Sequence, residues 1–297
     1  MEREPRVSGF SIVRGACALD YPVLESLRSM LPLVEEVVVV AHRNDDATLA
    51  MLATLGDARV TVVRADWDEG PRGGGRTLAW LTNLALSRCR HPWALYLQAD
   101  EVIHEADYGL IRGALRRFHG AGAVDALSFR FLHFEGSYGF VNPLRYRRQC
   151  RLVRNDGRLE SVRDAAGFAR TDRRGLRARR SGARIFHYGW ARRPDALRAK
   201  TLALARLYHE EGYVARRWGA LSAEQLGSAD LAFSWSGSHP AVMRDRIARG
   251  ELGRPARRRL REAPLLRPRF YAAWLRKWGV LPRWPEPADE VRWRGPC

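Results

Sequence analysis

Four consecutive valines, Val37–Val40, constrain the fold of this chain more than any other stretch. A run of β-branched residues without polar alternation is typical of a strand buried on both faces, as in a parallel sheet. Further strands are predicted at Gly9–Ala16, Arg59–Val63 and Trp93–Leu97, and helices at Tyr21–Met30, after Asp45-Asp46 and at Thr77–Ser87. This alternation predicts an α/β fold with a doubly wound, mostly parallel central sheet and flanking helices.

The fourth predicted strand ends abruptly in the polar residues Gln98, Asp100 and Glu101. Open α/β sheets bind ligands at the carboxyl ends of their strands, so a site is expected at this edge. A carboxylate there suits a hard cation such as Mg²⁺ or Mn²⁺, which would neutralise a diphosphate. The alternative is structural: Asp100 would cap a helix beginning near Val102.

The second half is predicted to be more irregular. A helix is expected up to His119, a half-buried strand at Ala126–Gly136, a strand at Ala183–Trp190 and an amphipathic helix at Pro194–Tyr213. The arginine-rich stretch 163–184 is predicted to be a mobile basic loop. No linker is evident, so we divide the chain by composition into residues 1–125, 126–250 and a basic, Arg-, Pro- and Trp-rich extension, 251–297.

Charge is distributed unequally over the 297 residues, which carry a net charge of +18. Residues 1–125 contain 14 Lys+Arg and 17 Asp+Glu, a net charge of −3, which leaves 37 and 16, or +21, for residues 126–297. The second half therefore favours anionic partners such as sugar phosphates, lipid headgroups or nucleic acid. The basic residues are almost all arginines, since Lys200 and Lys277 are the only lysines.

Cysteine usage and hydropathy exclude several protein classes. The four cysteines are scattered, without a CxxC pair, which argues against a zinc site or a disulfide framework. No apolar run approaches the roughly 20 residues that span a bilayer, and no signal-peptide pattern begins the sequence. We therefore expect a cytoplasmic protein.

Several motifs, in this order and spacing over residues 7–135, resemble those of family 2 glycosyltransferases of the GT-A fold. These motifs are GFSIVRGA in the first strand, Asn44–Thr48 after the valine strand, a glycine-containing loop, Asn83 in the next helix and YLQADE. Gln98-Ala99-Asp100 matches the family's metal-binding DxD motif with Gln in place of the first Asp. The resemblance implies a Rossmann-like GT-A sheet, a divalent cation and a nucleotide-diphosphate sugar donor.

The resemblance also implies roles for individual residues. Asp100 would bind the metal and the diphosphate, with Glu101 as a secondary ligand and His187 as a ligand from the second half. Asp45, Asp46, Asn83 and Gln98 would contact the nucleotide sugar. From their positions after the first strand and the glycine-rich loop, Arg14 and Arg76 are further candidates for binding the phosphates or the base.

Inverting transfer requires a general base that removes the proton of the acceptor hydroxyl. In the family this is an acidic residue of the second half, and Asp164 is the first candidate and Glu135 the second. His133 and Tyr138, which flank Glu135, are candidates for binding the acceptor. Trp190 is a candidate for stacking on a sugar.

The sequence therefore predicts a metal-dependent, inverting glycosyltransferase of hexosyltransferase type, acting on a glycan, lipid-linked or small-molecule acceptor. Two alternatives remain: a catalytically inactive relative that binds sugar nucleotides, suggested by Gln98, and a basic nucleic-acid-binding protein. The second is less favoured, and no nucleic-acid partner is expected, because the charge is dispersed and no recognised module is present. The C-terminal arginines and Trp274, Trp278 and Trp284 suggest peripheral contact with an anionic membrane surface.

Overall fold

The computed structural model describes residues 4–42, 47–65, 74–143, 145–220, 232–249, 252 and 291–293. The predictions for Asp45, Asp46 and most of the segment 251–297 lie outside these residues. Among the described residues, no helix is long and apolar enough to cross a bilayer.

The first half of the chain alternates strands and helices as predicted. Its strands are β1 (Val7–Val13), β2 (Glu36–His42), β3 (Val60–Ala65), β4 (Trp93–Tyr96) and β5 (Glu101–Ile103). Its helices are α1 (Val23–Met30), α2 (Thr48–Ala53), α3 (Arg76–Leu86) and α4 (Tyr108–His119), with short 3-10 turns at Leu31–Leu33 and Glu105–Asp107.

The second half contributes more strands than helices. The strands are β6 (Ala126–Glu135), β7 (Phe140–Val141), β8 (Arg148–Arg154), β9 (Leu159–Val162), β10 (Gly167–Arg170), β11 (Leu176–Trp190), β12 (Phe233–Ser234) and β13 (Val291–Trp293). The helices are α5 (Pro194–Ala205), α6 (Glu211–Trp218) and α7 (Arg244–Ala248), the last after a 3-10 turn at Ala241–Met243.

A central sheet in the order β12-β7-β6-β8-β4-β1-β2-β3 organises the molecule, and β11 joins it beside β6. Strands β3, β2, β1 and β4 are parallel to their neighbours in this series. Strand β8 then runs antiparallel to both β4 and β6. The order 3-2-1-4 of the first four strands is that of a Rossmann-like half, so the predicted α/β fold class is confirmed.

The four valines show why this sheet forms. Val37 and Val39 pack into the core on one face, with α1 and Trp93, whereas Val38 and Val40 pack into the core on the other face, with α3 and Tyr96. All four are at most 4% exposed, as expected of a strand covered by helices on both faces.

Two local predictions were wrong. Leu176–Trp190 is one long strand rather than a basic loop followed by a short strand, because it pairs along β6 and two of its arginines, Arg177 and Arg184, are paired with acids. Arg177 donates from Nε and Nη2 to the two carboxylate oxygens of Asp125, and Arg184 donates in the same way to Asp107. The strand accommodates an irregularity at Gly182, whose φ of 79° is readily adopted only by glycine.

The helix predicted over Pro194–Tyr213 is interrupted. It ends at Ala205, and a second helix begins at Glu211. In the intervening turn the hydroxyl of Tyr208 donates to Asp164, and the ring of His209 stacks on that of Trp218. These tertiary contacts hold the chain in a turn that helical periodicity alone does not reveal.

Candidate active site

A cavity of about 440 Å³ opens at the carboxyl ends of β1 and β4. These are the strands at which the order of the Rossmann-like half changes direction, which is where open α/β sheets bind ligands. The volume is suited to a small organic molecule. Six residues predicted from the sequence line this cavity: Arg14, Gln98, Asp100, Asp164, His187 and Trp190.

Asp100 lies at the floor of the cavity, only 4% exposed, in the turn between β4 and β5. Its Oδ2 atom accepts a hydrogen bond of 2.8 Å from Nζ of Lys200 and lies 3.4 Å from Nη2 of Arg192. Its Oδ1 atom lies 3.6 Å from Nε2 of His187. Val102 belongs to a strand, so the alternative that Asp100 caps a helix at that point does not apply.

Strand pairing brings His187 to Asp100 across almost ninety residues. In the antiparallel pair of β5 and β11, His187 stands opposite Glu101, and the amide of Tyr188 donates to the carbonyl of Asp100. Gly189 permits this approach, because a Cβ there would lie 2.5 Å from two ring atoms of His187 and 3.1 Å from Oδ2 of Asp100. The sequence FHYGW therefore places an imidazole beside the carboxylate.

Burial and neighbouring charges act in opposite directions on Asp100. Burial raises the pKa of Asp100, but Lys200, His187 and Arg192 lower it by more, so this pKa lies well below its usual range. Burial, together with Arg192, lowers the pKa of Lys200 to about 8, although Asp100 raises it. At neutral pH the carboxylate is thus ionised and Lys200 is mostly an ammonium ion.

A second histidine, His133, fixes the orientation of His187. Nε2 of His133 lies 2.8 Å from the carbonyl oxygen of Tyr146, and Nδ1 of His133 lies 2.8 Å from Nδ1 of His187. Burial and the charge of His187 lower the pKa of His133 to about 2, so its ring is neutral. A carbonyl only accepts, so Nε2 of His133 carries the proton, and Nδ1 of His187 donates to His133. Nε2 of His187 therefore faces Asp100.

Glu101 forms a buried ion pair with Arg151 rather than facing the cavity. Nε and Nη2 of Arg151 donate to the two carboxylate oxygens at 2.7 Å each, and the side chains are 0% and 1% exposed. Burial lowers the pKa of Arg151, whereas Glu101 raises it by more, so the guanidinium stays charged. This pair fixes the residue that follows Asp100.

The contacts of Asp100 and Glu101 do not fit a divalent cation. Both oxygens of Glu101 are held by Arg151, and one oxygen of Asp100 is held by Lys200. The ammonium group would repel a divalent ion about 4 Å away by roughly 8 kcal/mol at an effective dielectric constant of about 20, which offsets much of the attraction of the Asp100 carboxylate. Among the described residues, no three His, Cys, Asp or Glu side chains are grouped so that they could hold a metal. The predicted metal set of Asp100, Glu101 and His187 stays a prediction that this geometry does not favour.

Asp164, the first candidate for the general base, lines the cavity and is half-buried. The hydroxyl of Tyr208 donates to its Oδ2 atom at 2.6 Å, which leaves Oδ1 to accept a proton. Burial and this hydrogen bond raise the pKa of Tyr208, so it remains the donor. Gly75, with a φ of 70°, lies against both groups: a Cβ there would lie 2.6 Å from Cβ of Asp164.

Of the other predicted acceptor and base residues, Glu135, His133 and Tyr138 lie outside the cavity lining. Glu135, 6% exposed, accepts from Asn142 and Arg145 at the end of β6. His133 contacts His187 from the side away from Asp100, and Tyr138 packs on Tyr188 with ring centroids 5.6 Å apart. Of the predicted acceptor residues described here, Trp190 alone is in the cavity lining.

Some of the predicted nucleotide-binding residues line the cavity and others do not. Arg14 and Gln98 line the cavity. Asn83 instead joins α3 to β9, because its amide donates to the carbonyl of Ser161 at 3.0 Å and accepts from its N–H at 2.6 Å. Arg76 begins α3, is exposed and does not belong to the cavity lining.

Four residues of the site were not predicted from the sequence: Lys200, Arg192, Arg151 and Tyr208. Lys200 and Arg192 contact Asp100, and Arg151 and Tyr208 line the cavity. One signal was available in the sequence: Lys200 is one of two lysines in a chain rich in arginine. The positions of the other three follow only from tertiary packing.

Comparison with known proteins yields structures alone, since no protein-family model and no curated protein matches the sequence. A crystal structure of S. aureus TarS 1-349 matches 71% of this chain and 68% of that chain, with 13% identity and a TM-score of 0.39. The complex of TarS 1-349 with UDP-GlcNAc covers 71% and 70% of the two chains, with 14% identity and a TM-score of 0.40. The match to a crystal structure of a mycobacterial protein covers 43% of this chain and 42% of the mycobacterial chain, with 18% identity and a TM-score of 0.32. At these TM-scores, no ligand is transferred from these structures to the cavity.

Proposed function

We propose that this protein is a glycosyltransferase that moves a sugar from a nucleoside diphosphate sugar to an acceptor hydroxyl. One observation carries the proposal: cationic side chains converge in a small-molecule cavity at the switch point of a Rossmann-like sheet. Lys200, Arg151 and Arg14 line this cavity together with the buried carboxylate of Asp100.

The cations suit the diphosphate. Ammonium and guanidinium groups bind phosphate oxygens through charge-assisted hydrogen bonds, which are stronger than neutral ones. When the sugar is transferred, negative charge accumulates on the departing diphosphate, and cations already in place stabilise it without reorganisation. The indole of Trp190 in the same cavity offers an apolar face for a sugar ring.

Asp164 supplies the base in this proposal. The acceptor oxygen forms a bond to the anomeric carbon, while the bond from that carbon to the diphosphate oxygen breaks. The nucleoside diphosphate leaves with the bonding electrons, and the hydroxyl proton passes to Oδ1 of Asp164. Attack from the side opposite the leaving group inverts the anomeric centre, and the hydrogen bond from Tyr208 holds the carboxylate in place.

The test uses purified protein and a panel of sugar nucleotides carrying uridine, guanosine or deoxythymidine, UDP-GlcNAc among them. At least one should raise the melting temperature and be cleaved with release of its nucleoside diphosphate. Ala203→Trp fills the cavity lining and should abolish this effect. Ala215→Trp, on the exposed face of α6, is the matched control and should bind normally. If no sugar nucleotide stabilises the wild type, the proposal fails.

A further inference from the structure

We propose that the ammonium group of Lys200 does the work of a divalent cation in this site, so that nucleoside diphosphates bind without metal. This inference rests on the proposed function, because it assigns the group that meets the diphosphate. Lys200 is the one lysine among the residues that the structure describes, and it lines the cavity.

Lys200 is held as a fixed charge rather than as a mobile surface lysine. It is 5% exposed, and its Nζ atom donates to Oδ2 of Asp100 and to the carbonyl of Gly189, each at 2.8 Å. An ammonium group has three protons, so one remains for a ligand in the cavity that Lys200 lines. The rings of Tyr21 and Trp190 flank Nζ at 5.2 and 5.5 Å and restrict where it can move.

The local charge balance favours an anion and disfavours a second cation. Asp100 is contacted by Lys200, Arg192 and His187, whereas Glu101 is paired with Arg151. Arg192 is anchored further by donating to the carbonyls of Gly189 and Leu19. At neutral pH the two carboxylates therefore face three cations, Lys200, Arg192 and Arg151, before any ligand binds, and this net positive charge favours an anion such as a diphosphate.

The chemistry of lysine is suited to the role. An ammonium ion is a compact point charge with rotatable donors, so it approaches a phosphate oxygen much as a small metal ion does. Arginine is planar and larger, and this chain uses arginine almost everywhere else. Asp100 then orients the ammonium group instead of coordinating a metal.

Binding measurements with and without metal test the proposal. Isothermal titration with UDP, GDP and dTDP should give the same dissociation constant in EDTA as with Mn²⁺. Lys200→Met should weaken binding about 10- to 100-fold in both buffers, as expected for the loss of a hydrogen bond to a charged group. Lys200→Arg should retain part of the affinity. Arg174→Met removes a cation whose side chain is 83% exposed, outside the cavity lining, and should leave binding unchanged.

The possible outcomes separate this inference from the proposed function. Binding that is more than about tenfold weaker in EDTA and is restored by Mn²⁺ overturns the inference but leaves the function standing. Metal-independent binding that Lys200→Met does not alter also overturns it. No binding of any nucleotide in either buffer overturns both. The comparison of the two buffers needs wild-type protein alone, so it stands even if Lys200→Met does not fold.

Discussion

Replacing Arg151 with methionine should destabilise the protein strongly, because it leaves Glu101 as a buried charge. The pair is almost fully buried, with two hydrogen bonds of 2.7 Å, and its remaining neighbours replace little of what is lost. The backbone N–H of Gln98 donates to Oε2 of Glu101 at 3.2 Å, and this bond remains in the variant. Removing one partner of a buried ion pair costs about 3–5 kcal/mol.

The magnitude can be measured as a change in the free energy of unfolding by urea denaturation. For a chain of this size, about 3–5 kcal/mol corresponds to a fall in melting temperature of roughly 5–8 °C. The double variant Glu101→Leu/Arg151→Met removes both charges and should recover most of the loss, because replacing a whole buried pair by apolar groups is often neutral. Mn²⁺ should not rescue Arg151→Met, since Glu101 is not exposed to the cavity in this structure.

An exposed ion pair provides the control. Arg206 and Glu211 are 2.7 Å apart, but their side chains are 51% and 65% exposed, so solvent screens them. Arg206→Met should therefore melt close to the wild type. If Arg151→Met is as mild as this control, or if Mn²⁺ restores its stability, Glu101 is not the structural anchor described here.

Three further variants test parts of the site. Asp164→Asn should lower the turnover number by a factor of about 10²–10⁴ while sugar nucleotides still bind. Glu135→Gln, outside the cavity lining, should retain most activity, and the reverse result would make Glu135 the base. Gly75→Ala should displace the carboxylate of Asp164 and reduce turnover. Gly74→Ala, whose Cβ would meet nothing within 4 Å, should lower only the stability, and equal turnover in the two variants would show that Gly75 does not belong to the site. Asn83→Ala should lower the free energy of unfolding by about 1–3 kcal/mol through its lost hydrogen bonds to β9, with nucleotide affinity unchanged; a loss of affinity without a loss of stability would restore the nucleotide-binding prediction.

The central sheet was predictable because its residues follow local rules. Val37–Val40 place apolar side chains on both faces of a strand, and the helices between the strands have clear apolar stripes. Periodicity alone therefore indicated a parallel sheet. The end of β4 was recognisable for the same reason: an apolar run stops at polar residues. The closeness of Asp100 and His187 was also expected, although the register of β5 against β11, which produces it, was not.

The cationic partners were not predictable because they depend on distant packing. Lys200 lies 100 residues from Asp100, on a helix where a lone lysine usually marks a solvated face. Here, burial and the hydrogen bond to Asp100 place Lys200 in the cavity lining rather than on a solvated face. Two arginines of β11, Arg177 and Arg184, were misjudged for a related reason: their charges are compensated by Asp125 and Asp107, which lie more than 50 residues earlier.

A crystal structure of the wild-type protein with a bound nucleoside diphosphate, grown in the presence of EDTA, tests the proposed site and the role of Lys200 most directly. We expect a diphosphate in the cavity at the ends of β1 and β4, with a phosphate oxygen within hydrogen-bonding distance of Nζ of Lys200. A diphosphate bound elsewhere would contradict the proposed site. A nucleotide that enters the cavity only when a metal ion bridges Asp100 and the phosphates would contradict the role assigned to Lys200.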